Sequence, residues 1–356
     1  MKKALALVMA ACLAFSLVAC GGNTTSTSTS TSSSTASSAA SASTDSTSTG
    51  TTTATGALKT GLAVVSSVSV ADADADTDGK AQVSSTVAAV LVDSEGKIVD
   101  CKLDVAQNKV PVKADGSFEI EGVTFRSKQE LKEEYNMKGA SAIGKEWYEQ
   151  ANAFAAAMVG KTAEEVAGIE IDSENHGGPV DADLAASCTM GVEAFIEAIV
   201  AAVNNAQELG AQAGDTLGLG VTTEMSHSAA VPADNEGEGL IQTDTTYAAV
   251  TYTADGTITS AAVDCTQAKF NTTEEGVVTA KTEEIVSKQD LKENYNMKGA
   301  SAIGKEWYEQ ANAYAANLVG KTAADVAGIA AGEADLAASC TMSVDAFNEA
   351  VTRAMA

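Results

Sequence analysis

The chain has 356 residues, with 22 Lys or Arg against 48 Asp or Glu, a formal net charge of −26 and a pI near 4.3. That balance argues against a nucleic-acid partner, because phosphate binding draws on clustered basic side chains that are absent here. Apolar residues make up 45% but aromatics only 4%, so the core is built mainly from Ala, Val, Leu and Ile; two His and six Cys disfavour elaborate zinc or Ser–His–Asp chemistry.

At the amino terminus, Lys2 and Lys3 precede an apolar stretch over residues 4–18, shorter than the roughly 20 residues that span a bilayer. This pattern predicts a signal peptide over residues 1–19. The string Leu17-Val18-Ala19-Cys20 resembles the processing site of bacterial lipoproteins. The resemblance implies a lipidated Cys20 as first mature residue and a protein held by its lipid on the extracellular face of the cytoplasmic membrane. Between Asn23 and Gly56, 25 of 34 residues are Ser or Thr and Asp45 is the only charge. Such a segment cannot bury enough apolar surface to offset chain ordering, so residues 20–56 are expected to form a flexible tether reaching roughly 30–35 Å.

The remainder is a duplication. Residues 127–162 recur at 287–322 with 31 of 36 positions identical, and the same offset aligns residues 86–98 with 246–258. The octapeptide DLAASCTM at 183–190 returns at 335–342, after an insertion around residues 171–183 of the first copy. Two tandem domains follow, 57–210 and 211–356, each of ordinary domain size.

Within a copy, the Val- and Thr-rich first half is broken by turn signals at Ser94-Glu95-Gly96 and Asp255-Gly256, which predicts an antiparallel sheet of short strands. The second half is helical. Ser127 with Glu130 and Thr162 with Glu165 make capping boxes. Ile143, Trp147, Phe154 and Met158 fall on one helix face ended by Gly160, and Phe195, Ile199 and Val203 mark a last helix from about 192 to 209. Each unit is therefore expected to be α+β, helices packed on a small antiparallel sheet.

Several motifs carry potential chemistry. GASAIGKE at 139–146 and 299–306 approaches a phosphate loop, but Glu146 and Glu306 replace the hydroxyl that would hold magnesium; what remains is a glycine-containing loop entering a helix, able at most to hold an anion on backbone N–H groups. Asp74, Asp76 and Asp78 have the spacing of a calcium loop without its bidentate Glu, which favours a solvated acidic turn. Trp147 falls on the apolar stripe while Tyr148 points about 100° round the helix, and Glu146 with Glu149 reads as a solvated face. His176 and His227 have no counterparts in the other copy, so no shared histidine mechanism exists. Four mature cysteines besides Cys20, namely Cys101, Cys188, Cys265 and Cys340, allow disulfides on an exported protein or serve as small buried residues.

Asp183 to Thr189 and Asp335 to Thr341 have the spacing of the D-x-x-S-G-A-T pattern of covalently flavinylated FMN-binding domains, with Ser187 and Ser339 at the glycine position. In this and in its layout, the chain resembles FMN-binding domains of the NqrC/RnfG group of respiratory subunits and of tethered extracellular electron-transfer lipoproteins. The resemblance implies FMN joined by its phosphate to Thr189 and Thr341 by a flavin transferase, with Asp183 and Asp335 as motif acids and a membrane reductase as electron source. The alternative is a cofactor-free surface lipoprotein whose duplicated domains bind or scaffold something else.

Overall fold

The computed structural model describes residues 56–174, 176–231, 237–282, 284–330 and 332–356. The signal segment 1–19, Cys20 and the tether up to residue 55 lie outside the described residues.

In the first copy, β1 (Lys59–Ala71), β2 (Gly79–Val92) and β3 (Ile98–Val112) form an antiparallel meander. The β2–β3 turn closes because the Asp93 carboxylate accepts the Glu95 and Lys97 amides and Gly96 takes φ +80°. Then come α1 (Lys128–Leu131), which runs into a single 3₁₀ turn (Lys132–Tyr135), α2 (Trp147–Ala157), α3 (Ala163–Ala167), a minimal hairpin of β4 (Ile171–Asp172) and β5 (Gly178–Pro179), α4 (Ala182–Ala185) and α5 (Glu193–Asn204). The second copy repeats the plan without the hairpin. It has β6 (Thr216–Glu224), β7 (Gly239–Tyr252), β8 (Ile258–Thr272), β9 (Val278–Ala280), α6 (Lys288–Leu291), a second 3₁₀ turn (Lys292–Tyr295), α7 (Trp307–Asn317), α8 (Ala323–Ala327), α9 (Ala334–Ala337) and α10 (Asp345–Ala354). The class is α+β, as the patterning predicts.

The strands are not short: β1, β2 and β3 run 13, 14 and 15 residues. Their length follows from burial on both faces. Ala88, Val90 and Val92 of β2 pack under the helices with Phe154, Phe195 and Ile199. The alternate residues Val87, Ala89 and Leu91 pack against Val221, Tyr247, Leu217 and Ala249 of the second copy. A strand covered on both sides loses the polar alternation that marks a half-exposed one. The two sheets thus meet face to face and the helices of each copy form an outer layer, giving four layers within one compact unit.

The seam between the sheets is partly polar; several of its hydroxyls find partners, while the buried hydroxyls of Thr243 and Thr272 have none among the described residues. Thr60 Oγ1 meets Ser260 Oγ at 2.7 Å, Asn108 Nδ2 donates to Thr245 Oγ1 at 2.9 Å, and Tyr247 OH meets Thr266 Oγ1 at 2.8 Å. The last helix of each copy crosses the first strand at a glycine. A Cβ on Gly61 would stand 2.0 Å from the Ala202 carbonyl oxygen, and one on Gly218 1.7 Å from that of Ala354. After α5 the chain returns to its own start, where the Thr60 amide donates to the Gln207 oxygen and the Gln207 amide to the Thr60 oxygen. That return ends the helix at Asn204, short of the expected 209.

Both capping boxes form. Ser127 Oγ accepts the Glu130 amide, Thr162 Oγ1 accepts that of Glu165, and each glutamate returns to its cap amide. Ile143 is the exception to the expected helical stripe. It lies in the loop before α2, because the Glu146 side chain accepts the Glu149 amide while the Glu149 carboxylate accepts the Glu146 amide, so the helix begins at Trp147.

Candidate functional site

The duplicated octapeptide forms a one-turn helix, a tight exit and the approach to the last helix. In the first copy Asp181 caps α4, its carboxylate accepting the Asp183 and Leu184 amides. The turn closes when the Ser187 and Cys188 amides both donate to the Leu184 oxygen, and Ser187 Oγ donates to the same oxygen at 3.1 Å. Ser339 Oγ does the same to the Leu336 oxygen at 3.2 Å. Neither serine has a positive φ, so the backbone at the pattern's glycine position makes no demand for glycine. Cys188 and Cys340 are buried beneath the turn as free thiols, and burial pushes both upward from the ordinary thiol range.

Thr189 follows, and its environment is specific. Its amide and its hydroxyl both donate to Gln150 Oε1, at 2.9 and 3.2 Å. The Gln150 amide nitrogen donates in turn to Ser141 Oγ at 3.0 Å and to the Lys145 oxygen at 3.1 Å. Ser141 Oγ also accepts the Ile143 and Lys145 amides, which folds the glycine-containing loop back on itself. Glu146 closes the loop from the other side, its Oε2 accepting the Met137 amide at 2.8 Å. The second copy reproduces every link: Thr341 donates from amide and hydroxyl to Gln310 at 2.9 and 3.2 Å, Gln310 reaches Ser301 at 3.0 Å, and the Met297 amide reaches Glu306 at 2.8 Å. The two sequence motifs are therefore halves of one site, joined by a glutamine with no exposed surface.

The other predicted residues fall unevenly. Asp183 and Asp335 are exposed, and among the described residues their carboxylates make no hydrogen bond or ion pair. Trp147 is core, stacked edge-on against Phe195 at 5.9 Å and Tyr135 at 6.5 Å. Tyr148 is the surface ring, and its hydrogen bond to Glu133 holds its phenol above the ordinary value. Asp74 spends its carboxylate on the Asp76 and Thr77 amides at the β1–β2 turn, and Asp78 pairs with Lys113. His176 sits in the insertion at φ +59°, and His227 Nδ1 meets Asp244 at 3.1 Å.

Gln150 and Gln310 escaped the sequence reading. The signal was present: Trp147, Gln150, Ala151, Phe154 and Ala155 form the buried stripe of α2, and Gln150 is its polar member. A buried amide must find partners, and here those partners are the two motifs.

The copies differ in cover. In the first, the insertion lies against the Thr189 segment: the Val192 amide donates to the Gly177 oxygen at 3.0 Å, and a Cβ on Gly178 would stand 3.5 Å from the Thr189 oxygen. Thr189 is half-buried and Thr341 exposed.

The chain matches no protein-family model and no solved structure. It is similar to part of a curated protein, Chlorophenol reductase of Desulfitobacterium hafniense, with 36% identity over 93 residues, 23% of this chain and 28% of that protein. The likeness is thus to a minor part of a protein named as a reductase.

Proposed function

We propose that the chain is a membrane-tethered extracellular flavoprotein, anchored through Cys20, that carries FMN on Thr189 and Thr341 for electron transfer. The observation that carries this reading is the identical fixation of both threonines. Outside the long repeat, across an insertion present in one copy only, the same hydroxyl is held by the same buried glutamine at the same distance. The residues fit a phosphate ester at that place. The threonines stand at or near the surface, the serine two residues before each keeps an ordinary backbone, and the bond from each threonine amide to its glutamine does not use the hydroxyl hydrogen that an ester replaces.

Bound FMN supplies transfer of one or two electrons. Gln150 and Gln310 hold the threonine amides and, before modification, the hydroxyls, Ser141 and Ser301 fix the glutamines, and the helix caps at Glu146 and Glu306 keep the adjoining loops in place. The partial likeness to a reductase supports a redox role. A flavin transferase and a membrane reductase are the partners this reading requires.

A second reading is favoured by one feature: Gln150 already satisfies both polar groups of Thr189, so the link also works as a latch between α2 and the approach to α5 in a cofactor-free surface lipoprotein. Intact mass and visible absorption of the chain, co-expressed with a flavin transferase, separate the two. Two flavin masses, falling to one in Thr189→Ala and in Thr341→Ala, support the flavoprotein; a colourless protein of unmodified mass refutes it and leaves the latch.

A further inference from the structure

The two large sheets are bounded by β1 and β3 in the first copy and by β6 and β9 in the second. A bounding strand turns amides and carbonyls outward, where they form a template for another chain unless something blunts them. Three of these strands are blunted. Along β3 the Cys101 and Val105 amides donate to the carboxylates of Asp100 and Asp104, the Leu103 oxygen accepts Gln129 Nε2, and Pro111 has no N–H to offer. On β6 the Val221 oxygen accepts Arg353 Nη1 at 2.9 Å, and Arg353 is held there by Glu130 and Glu349. β9 is only three residues long.

β1 is left open. The Thr60 amide and oxygen both bond Gln207 on the side away from β2, so the even-numbered residues of this strand turn their backbone outward. Among the described residues, the amides and carbonyls of Leu62, Val64, Ser66, Val68 and Val70 have no hydrogen-bond partner. Nothing in the side chains repels a neighbouring strand. From Thr60 to Ala71 there is no charge and no proline, in a chain whose net charge is −26. Apolar surface stands at the far end of the edge: Val70 is 41% exposed, and Val277, beside the bond from the Ala73 amide to the Gly276 oxygen, is 37% exposed.

The edge is also complementary to itself. Antiparallel pairing of two β1 strands about a twofold axis at Ser66 sets Leu62 opposite Val70, Val64 opposite Val68 and Ser66 opposite its own counterpart. Apolar side chains meet apolar ones and hydroxyl meets hydroxyl. Every outward residue from Leu62 to Val70 then joins a pair that exchanges two hydrogen bonds. Lys59, the only charged residue of β1, comes to the end of the partner strand, where Asp72 and Asp74 follow.

We propose that the β1 edge is the contact between two copies of this chain, which join their three-stranded sheets into one continuous antiparallel sheet. This surface is separate from the threonine sites, and it stands whether or not they carry flavin.

Sedimentation velocity of the purified chain across the micromolar range is the test. The expected result is a concentration-dependent species of twice the monomer mass. Ser66→Pro removes the two central hydrogen bonds and leaves the ladder to β2 intact, so it is expected to weaken association about tenfold or more. On mild oxidation Ser66→Cys is expected to give a disulfide-linked dimer beyond any seen in the unchanged chain, because opposed residues of a hydrogen-bonded pair lie about 5.5 Å apart at Cα. Val70→Cys, set opposite Leu62, is expected to give none. A chain that stays monomeric, a folded Ser66→Pro variant that associates like wild type, or cross-linking of Val70→Cys as readily as Ser66→Cys would each overturn the proposal; the first would leave the edge to an extended segment of another protein. Should Ser66→Pro fail to fold, Val70→Lys puts a charge on the same edge at an exposed position, with the same expected and overturning results.

Discussion

The two copies agree where the threonine sites are built and diverge where each packs its own helices. Gln150 and Gln310 make the same bonds, whereas the neighbouring core positions have changed in pairs. Phe154 and Ile196 of the first copy become Tyr314 and Asn348 in the second, where Tyr314 OH donates to Asn348 Oδ1 at 2.7 Å and Asn348 Nδ2 to the Ile329 oxygen at 2.8 Å. A buried hydroxyl arrived together with an acceptor for it. Divergence in a buried layer is tolerated when polar groups change together, because a lone one is left desolvated and unpaired.

The largest test of equivalence between the copies is at the helix crossings. Gly61→Ala and Gly218→Ala should each cost about 3 kcal/mol or more in urea unfolding, since the clash is with backbone that cannot step aside. A large cost in one copy and none in the other would break the symmetry of the fold.

Next come the buried acids. Burial raises Asp104 to about 6 and Asp264 to about 7, outweighing the amides that favour their charged forms. The folded chain then binds more protons than the unfolded chain above the model-peptide value of about 3.9, so stability falls as pH rises through that window. Asp104→Asn should flatten the melting-temperature profile up to about pH 6, and Asp264→Asn up to about pH 7. Identical profiles for the two variants would erase this difference between the copies.

Smaller effects sharpen the picture. Tyr314→Phe should cost about 1–3 kcal/mol by leaving Asn348 Oδ1 without its donor, and the double change Tyr314→Phe with Asn348→Ile, which restores the first copy's pair, should recover most of it. Gln150→Leu should cost about 1–2 kcal/mol and speed hydrogen exchange at the Thr189 amide, leaving Thr341 untouched. Equal exchange at both threonines would show that each latch is not local to its copy.

What was legible in the sequence was local. Ser127 with Glu130 and Thr162 with Glu165 announce their helix starts because a cap is decided within four residues. Ser94-Glu95-Gly96 announces its turn for the same reason. The long strands and the face-to-face sheets were not legible, since VAAVLV of β2 reads the same whether its second face meets helices, water or another sheet. The site was half legible. Thr189 and the loop at Ser141 each stand out, but their meeting depends on Gln150, whose role appears only when the helix stripe is known to be buried.

The pairing of Thr60 with Gln207 has a topological consequence. Leu58 donates to the Ala211 oxygen and Ala213 to the Gly56 oxygen, so the first copy leaves its fold beside the point where it began. A unit whose two ends lie together behaves as a cassette. Its gene segment can be doubled, and the new unit follows without a long bridging loop, with its sheet delivered to the exposed face of the old one. The duplication and the buried seam between the sheets are then one event, in which the product of copying supplied its own partner.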